Sequence, residues 1–385
     1  MPLDRYEEED YDRPARRPRA SGSGKKWLLV LGILGALGFC CCGGLVGLGW
    51  QLVKPTSFPE QTQDYADARK QFKTKLTVRE KAPQVFDVDK LRDGVTEIEY
   101  KSKELKLKAW IGGPKGGGIR PAVLFLHGGF ALDNADWDQT QPFRDAGFIT
   151  MLPMLRGENG MDGNFTMFYD EVDDAIAAAD ELARQPGVDP NRICIAGHSA
   201  GGTIAMLAAM TSKQFRACAS FSGSPDQVSF VRTNDGLAPF DTEDQKELIM
   251  RSPLAFPKSF KCPTRLYYGD AEFLLMFSMP KLAEKAKAAG CDVEAIKVPG
   301  DHFNAVIPAI RESIYFLQAE LRHQSREDQS DCWLRHRDEQ YSCRNDRRIL
   351  PSFTVVLGTL FQNDSSCASP GTDKGETRMS RGCHG

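Results

Sequence analysis

The sequence predicts an α/β fold, a mainly parallel sheet with helices on both faces, preceded by one membrane-spanning helix. Three observations predict it. From residue 95 to 322, short apolar β-branched runs alternate with amphipathic helical stretches, as strands joined by crossover helices do. The middle strands, "PAVLFLHGG", "FITMLPML" and "ICIAG", are continuous apolar runs suited to burial on both faces. Upstream, residues 27–53 carry no charge over a length that exceeds the roughly 20 residues needed to cross a hydrocarbon core.

The elements follow in order. Residues 1–26 are acidic, then basic, with Pro and Gly and almost no apolar side chains, a composition that reads as a disordered segment. The span at 27–53 has Trp27 and Trp50 near its ends, where indoles favour the headgroup region. Arg16, Arg17, Arg19, Lys25 and Lys26 precede it and Lys54 alone follows closely, so the positive-inside rule places the N-terminus in the cytoplasm and the rest beyond the membrane. Residues 54–94 read as a polar connector, helical around 60–75. "VTEIEY" and "ELKLKAWI" alternate apolar and polar residues as a solvated antiparallel hairpin does.

Beyond the hairpin, "MFYDEVDDAIAAADELAR" has helical spacing and stops at the turn signal "QPGVDPNR". "RACASFSG", "TRLYYG" and "VEAIKVPG" are further strands. "AGGTIAMLAAM", "KLAEKAKAAG" and "AVIPAIRESIYFLQAEL" are helices. Residues 223–260 form an insertion between two strands that reads as a cap over the sheet edge, with Phe230, Phe240 and Phe256 fitted to packing within it or to lining a pocket. The tail, 323–385, is charged, lacks a sustained period and reads as disordered.

Composition limits the chemistry. A formal net charge of −3 gives no footprint for nucleic acid. The 11 cysteines show no CxxC or Cys/His spacing suited to a metal, so neither metal nor cofactor is expected. Cys194 and Cys218 sit in apolar strands as buried free thiols. Cys262 and Cys291 each precede a strand and become a candidate disulfide if those strands are neighbours.

The chemically able residues cluster at the carboxyl ends of strands, where open α/β sheets bind their ligands. "ICIAGHSAGG" places Ser199 on a strand–turn–helix, with Gly197 and Gly201 letting the turn close. The helix that follows offers the Ala200 N–H and a positive dipole end to a developing oxyanion. The competing reading of Ser199 is a plain helix cap. A hydroxyl needs a base, and elimination among six histidines leaves His302, in "VPGDHFNAV" after the last strand. The orienting acid lies in "YYGDAEFLL": Glu272, further out toward the histidine, is favoured over Asp270, which sits at the strand end where it would tie up the loop.

Residues 95–322 resemble an α/β-hydrolase of the prolyl oligopeptidase and dienelactone hydrolase branch, on "FLHGGF", "RGENG", "PGVDPNRICIAGHSAGG", "YYGDAEF" and "PGDHF" in that order. The resemblance implies a Ser-His-acid triad of Ser199, His302 and Glu272, with glutamate where the family norm is aspartate. It also implies an oxyanion hole from the Ala200 N–H and a main-chain N–H of the loop His127-Gly128-Gly129-Phe130, so Gly129 and Phe130 are candidate donors. Prolyl oligopeptidase's own oxyanion tyrosine is replaced here by His127, and its gating propeller has no counterpart. The function implied is hydrolysis of a small ester or a peptide bond by a membrane-anchored enzyme that touches lipid through its span. A non-catalytic tethered binding protein on the same fold is the alternative.

Overall fold

The computed structural model describes residues 59–323 apart from 88, 89, 115 and 235. The segment 1–26, the span expected at 27–53 and the tail from 324 onward lie outside the described residues. No helix among those described is long and apolar enough to cross a membrane.

The expected hairpin is β1 (Thr96–Ser102) and β2 (Leu105–Gly112), paired antiparallel with Tyr100 opposite Leu107. Glu97, Glu99 and Lys101 face water while Tyr100 and Ser102 are buried, the period-two alternation of a sheet with one wet face. The series continues with β3 (Arg120–Leu126), β4 (Ile149–Pro153), β5 (Val188–His198), β6 (Cys218–Phe221), β7 (Thr264–Gly269) and β8 (Val293–Val298). The eight strands form one mixed sheet in the order β1-β2-β4-β3-β5-β6-β7-β8. Pairings of β2 are antiparallel, and those from β4 to β8 are parallel. The chain runs from β3 outward to β4 and then returns to β5 on the other side of β3. That reversal opens a crevice at the strand ends. Leu126 lies beside Gly197 there, so the loops after β3 and β5 emerge next to each other.

Helices cover both faces. On one, α4 (Glu171–Leu182), α5 (Ala200–Thr211) and α8 (Leu275–Ala288) pack with Leu182, Leu207 and Leu282 buried against the sheet. On the other, α2 (Asn134–Gln139), α3 (Gln141–Asp145) and a final helix, α9 (306–323), contribute Trp137, Phe143 and Ile310 to a second core.

Three local readings change. The run "QPGVDPNR" turns only through its first residues: β5 already starts at Val188, and its pairing with β3 slips between Arg120 and Ala122. Pro190 has no N–H to give a ladder, which makes such a slip inexpensive. Helix α4 begins at Glu171, because Met167 and Phe168 take left-handed φ of 53° and 68°. The buried Glu171 carboxylate instead accepts from the Thr166 and Tyr169 N–H groups at 2.6 and 3.0 Å. Cys262 and Cys291 precede neighbouring strands, as the pairing required, yet both thiols are free and Cys291 Sγ donates toward the Phe260 carbonyl at 3.8 Å.

The connector packs onto the domain. Within it α1 (Tyr65–Gln71) buries Tyr65 completely, and the phenol donates to the Met250 carbonyl at 2.8 Å. The cap insertion holds α6 (Gln227–Thr233) and α7 (Gln245–Ile249). Phe240 and Phe256 are buried as its packing, while Phe230 reaches the cleft described below.

Candidate active site

Ser199 takes φ 53°, ψ −115°, and its side chain makes no capping bond to α5. A non-glycine residue in that conformation costs about 1–3 kcal/mol. The elbow is held by the Ser199 N–H donating to the Phe221 carbonyl at 2.8 Å and the Gly201 N–H donating to the His127 carbonyl at 3.2 Å. Gly201 packs against the Leu126 and His127 carbonyls with no room for a Cβ, so a side chain there would open the turn. The hydroxyl is freed from capping and aimed at His302: Ser199 Oγ lies 2.9 Å from His302 Nε2.

His302 Nδ1 donates to Glu272 Oε1 at 2.6 Å. Glu272 Oε2 accepts from the Ser222 hydroxyl and the Gly269 N–H, each at 2.6 Å. Burial raises the Glu272 carboxyl, but the hydrogen bonds from His302, Ser222 and Gly269 outweigh it and hold the pKa below its ordinary value. The carboxylate is therefore charged and fixed at both oxygens, and the imidazole it orients presents Nε2 to the serine. Asp270 does what its position suggests, with Oδ1 accepting from the Gly300 N–H at 3.0 Å and tying two loops together.

Four neighbours complete the site, and of these Ser222 and Gln84 carry no mark in the sequence. Ser222, at φ 53°, is the second donor to Glu272. His198 is buried and turned toward the histidine loop, where its Nε2 donates to the His302 carbonyl at 3.0 Å. Burial first, and the adjacent His302 second, lower its pKa to about 4 and keep it neutral. His127 donates from both ring nitrogens, to the Gly128 carbonyl at 2.9 Å and to Glu158 Oε2 at 3.0 Å. Burial alone would lower its pKa, but the Glu158 charge and hydrogen bond raise it to about 10, so an imidazolium braces the loop after β3. The fourth is Gln84: the Phe130 N–H, one of the candidate oxyanion donors, donates to Gln84 Oε1 at 2.8 Å. Ala200 opens its helix, so its N–H has no intrahelical acceptor and borders the cleft beside Gly129 and Phe130.

The cleft encloses about 610 Å³ around Ser199 and His302. Its walls come from the cap, with Phe230 and Leu237, and from the loop after β7, with Phe273 and Leu274. Among the described residues, no lysine or arginine lines it.

The sheet order, the strained serine at the end of β5 and the histidine after β8 define the α/β-hydrolase fold. A model of the prolyl oligopeptidase family matches residues 134–256, a stretch that includes Ser199 and stops short of Glu272 and His302. Two Bacillus subtilis (strain 168) proteins are similar to this chain. The uncharacterized peptidase YtmA is 27% identical over 169 residues, 43% of this chain and 64% of its own. The uncharacterized peptidase YuxL is 25% identical over 198 residues, 46% of this chain and 30% of its own. Among solved structures, an acylaminoacyl peptidase in complex with Z-Gly-Gly-Phe-chloromethyl ketone superposes with a TM-score of 0.50 at 21% identity, covering 60% of this chain and 41% of that one. The uncomplexed Pyrococcus horikoshii acylaminoacyl peptidase gives 0.50 at 20% identity, covering 60% and 41%. The chain thus resembles the prolyl oligopeptidase family and spans less than two thirds of the length of these relatives.

Proposed function

We propose that this protein is a serine hydrolase that cleaves an ester or peptide bond through Ser199, His302 and Glu272, anchored to a membrane by residues 27–53. One observation carries the enzymatic reading: a strained, uncapped serine hydroxyl 2.9 Å from an imidazole whose other nitrogen is 2.6 Å from a buried carboxylate.

In the reaction, His302 Nε2 takes the Ser199 proton as Oγ attacks the acyl carbonyl. Glu272 holds the imidazole tautomer and stabilises the imidazolium. Negative charge on the acyl oxygen is met by the Ala200 N–H and a main-chain N–H of the loop after β3, each worth about 3 kcal/mol. Collapse breaks the ester or amide bond, and His302 gives its proton to the departing oxygen or nitrogen. Water then attacks the acyl-serine, loses a proton to His302 and releases the acid, restoring the serine. Among the described residues, no arginine or lysine lines the cleft to hold a substrate carboxylate, which favours uncharged acyl groups.

Labelling of the detergent-solubilised chain with a fluorophosphonate tests the reading. Wild type is expected to label, Ser199→Ala and His302→Ala to lose labelling, and Glu272→Ala to lose far more than Asp270→Ala. Absence of labelling in folded wild type refutes it. The uncharged run at 27–53 supports the anchor, and extraction at alkaline pH tests it: a spanning chain stays with the membrane pellet.

A further inference from the structure

Residues 74–84 run as a strap along the cap and the loops after β4 and β3. The Thr77 N–H donates to the Pro239 carbonyl of the cap at 2.8 Å. Further along, the Phe165 N–H donates to the Glu80 carbonyl at 2.9 Å, Lys81 Nζ to the Met161 carbonyl at 2.7 Å, and the Ala82 N–H to the Gly157 carbonyl at 3.0 Å. Two residues on, Gln84 reaches over Gly129, where the missing Cβ leaves room for its amide, and Oε1 takes the Phe130 N–H.

We propose that Gln84 is a substrate surrogate: in the resting protein its side-chain amide oxygen occupies a donor of the oxyanion hole, and the acyl oxygen of a substrate must displace it. The assignment rests on the hydrolase reading above. A glutamine amide oxygen has the chemistry of a peptide carbonyl, a planar neutral acceptor, and it sits on a donor of the loop beside Ser199. The other expected donor, the Ala200 N–H, remains open to the cleft. Gln84 is exposed, so its released amide finds water at once and displacement is readily reversible. The residue lies 46 positions before Phe130 and outside the stretch matched to the prolyl oligopeptidase family, so it is a feature of this chain's connector and not of the matched segment. Gln84 thereby acts on substrate capture: it raises the concentration needed to fill the site and selects for substrates whose acyl oxygen reaches the Phe130 N–H.

The experiment measures KM and kcat for a neutral p-nitrophenyl ester, and the second-order rate of fluorophosphonate labelling, on the full chain in detergent. Wild type, Gln84→Ala, Gln84→Glu and Ser199→Ala are compared. Gln84→Ala is expected to lower KM about fivefold, the factor that corresponds to one net hydrogen bond of about 1 kcal/mol, with kcat unchanged and labelling faster by a similar factor. Gln84→Glu is expected to raise KM, because a carboxylate binds the same N–H more tightly and repels a developing oxyanion. Two outcomes overturn the proposal while leaving the hydrolase reading intact. In one, wild type and Gln84→Ala share the same KM and labelling rate. In the other, kcat falls in Gln84→Ala at constant KM, which would make the residue a brace for the loop. A folded chain that fails to label with or without Gln84 refutes both.

Discussion

Replacing Glu272 by glutamine changes one atom of the side chain and reverses the direction in which the site can move a proton. Glu272 Oε2 is approached by two donors, the Ser222 hydroxyl and the Gly269 N–H, and the second of these cannot become an acceptor. The amide oxygen of a glutamine must therefore take that side, which turns its NH2 group toward His302 Nδ1. Nδ1 then has to accept, the ring proton moves to Nε2, and Nε2 points a hydrogen at the Ser199 oxygen 2.9 Å away. A base that already carries its proton cannot take another. In Ser-His-Asp sites, this exchange of acid for amide lowers kcat by about 10⁴-fold, which corresponds to about 5.5 kcal/mol of barrier. The same loss is expected for Glu272→Gln, measured as initial rates of ester hydrolysis with thermal denaturation run alongside to confirm the fold. Asp270→Asn is the internal comparison. Asp270 caps a neighbouring loop at the Gly300 N–H and touches neither His302 nor Ser199, so a change of about twofold is expected, as for a surface substitution. A loss under tenfold in Glu272→Gln, or a larger loss in Asp270→Asn, would refute the assignment of the acid.

Other expectations follow from the same structure. Gly201→Ala drives a methyl group into the Leu126 and His127 carbonyls, so a stability loss of about 1–3 kcal/mol is expected, with slower fluorophosphonate labelling because the elbow opens; a variant as stable and reactive as wild type would show the turn to be loose. Stability is expected to peak near neutral pH. His127, raised to about 10 in the fold from about 6.5 unfolded, contributes stability that is complete below pH ~6.5 and lost as pH rises through about 10. His198, lowered to about 4 in the fold, contributes stability present above pH ~6.5 and lost as pH falls toward about 4. Thermal melts across that range should show His127→Gln flattening the alkaline limb and His198→Gln the acid limb, and limbs that stay unchanged would contradict both assignments. A chain begun at residue 95 loses the fully buried Tyr65 and should melt well below one begun at 59, by at least the 3–5 kcal/mol that deleting a large buried aromatic costs; equal melting would show α1 to be dispensable.

The parts of the site legible in the sequence are those whose chemistry is written into a strand end. "GHSAGG" could be read because close packing of an elbow demands glycine, and the gap left by Gly201 against two carbonyls is that demand in three dimensions. His302 and Glu272 could be read because parallel strands deliver consecutive loops to one edge, so order along the chain becomes proximity. The unread residues lack such a local mark. Ser222 is a serine after a strand, a residue type common in loops, and only its φ of 53° directs the hydroxyl to Glu272. His198 neighbours Ser199 in sequence, but its partner, the His302 carbonyl 104 residues on, is brought to it by the fold alone. Asp133 and Asp136 do form a capping box at the start of α2, yet a helix of six residues has too little apolar period to register.

The connector is where sequence and structure diverge most, and the reason is physical. A segment that donates few apolar side chains reads as solvated, because periodicity reports burial and nothing else. Residues 59–94 bury a few apolar side chains, Tyr65 and Ala68 among them, and join the domain otherwise through polar contacts, which leave no period. Thr74 accepts from the fully buried Arg251 and donates to Glu247 Oε2, each at 2.8 Å, while the Lys75 N–H donates to Glu247 Oε1 at 2.6 Å. Arg251 and Glu247 are themselves a buried pair at 2.6 Å within the cap. Buried charges are costly unless every lone pair and proton is matched, and here the Thr166 and Met167 carbonyls and the connector share in the matching. The same stretch that completes this pair then runs on as the strap to Gln84. Its hold on the cap and its hold on the Phe130 N–H are therefore ends of one continuous segment. The segment upstream of the hydrolase motifs is thus bound both to the cap and to the loop after β3.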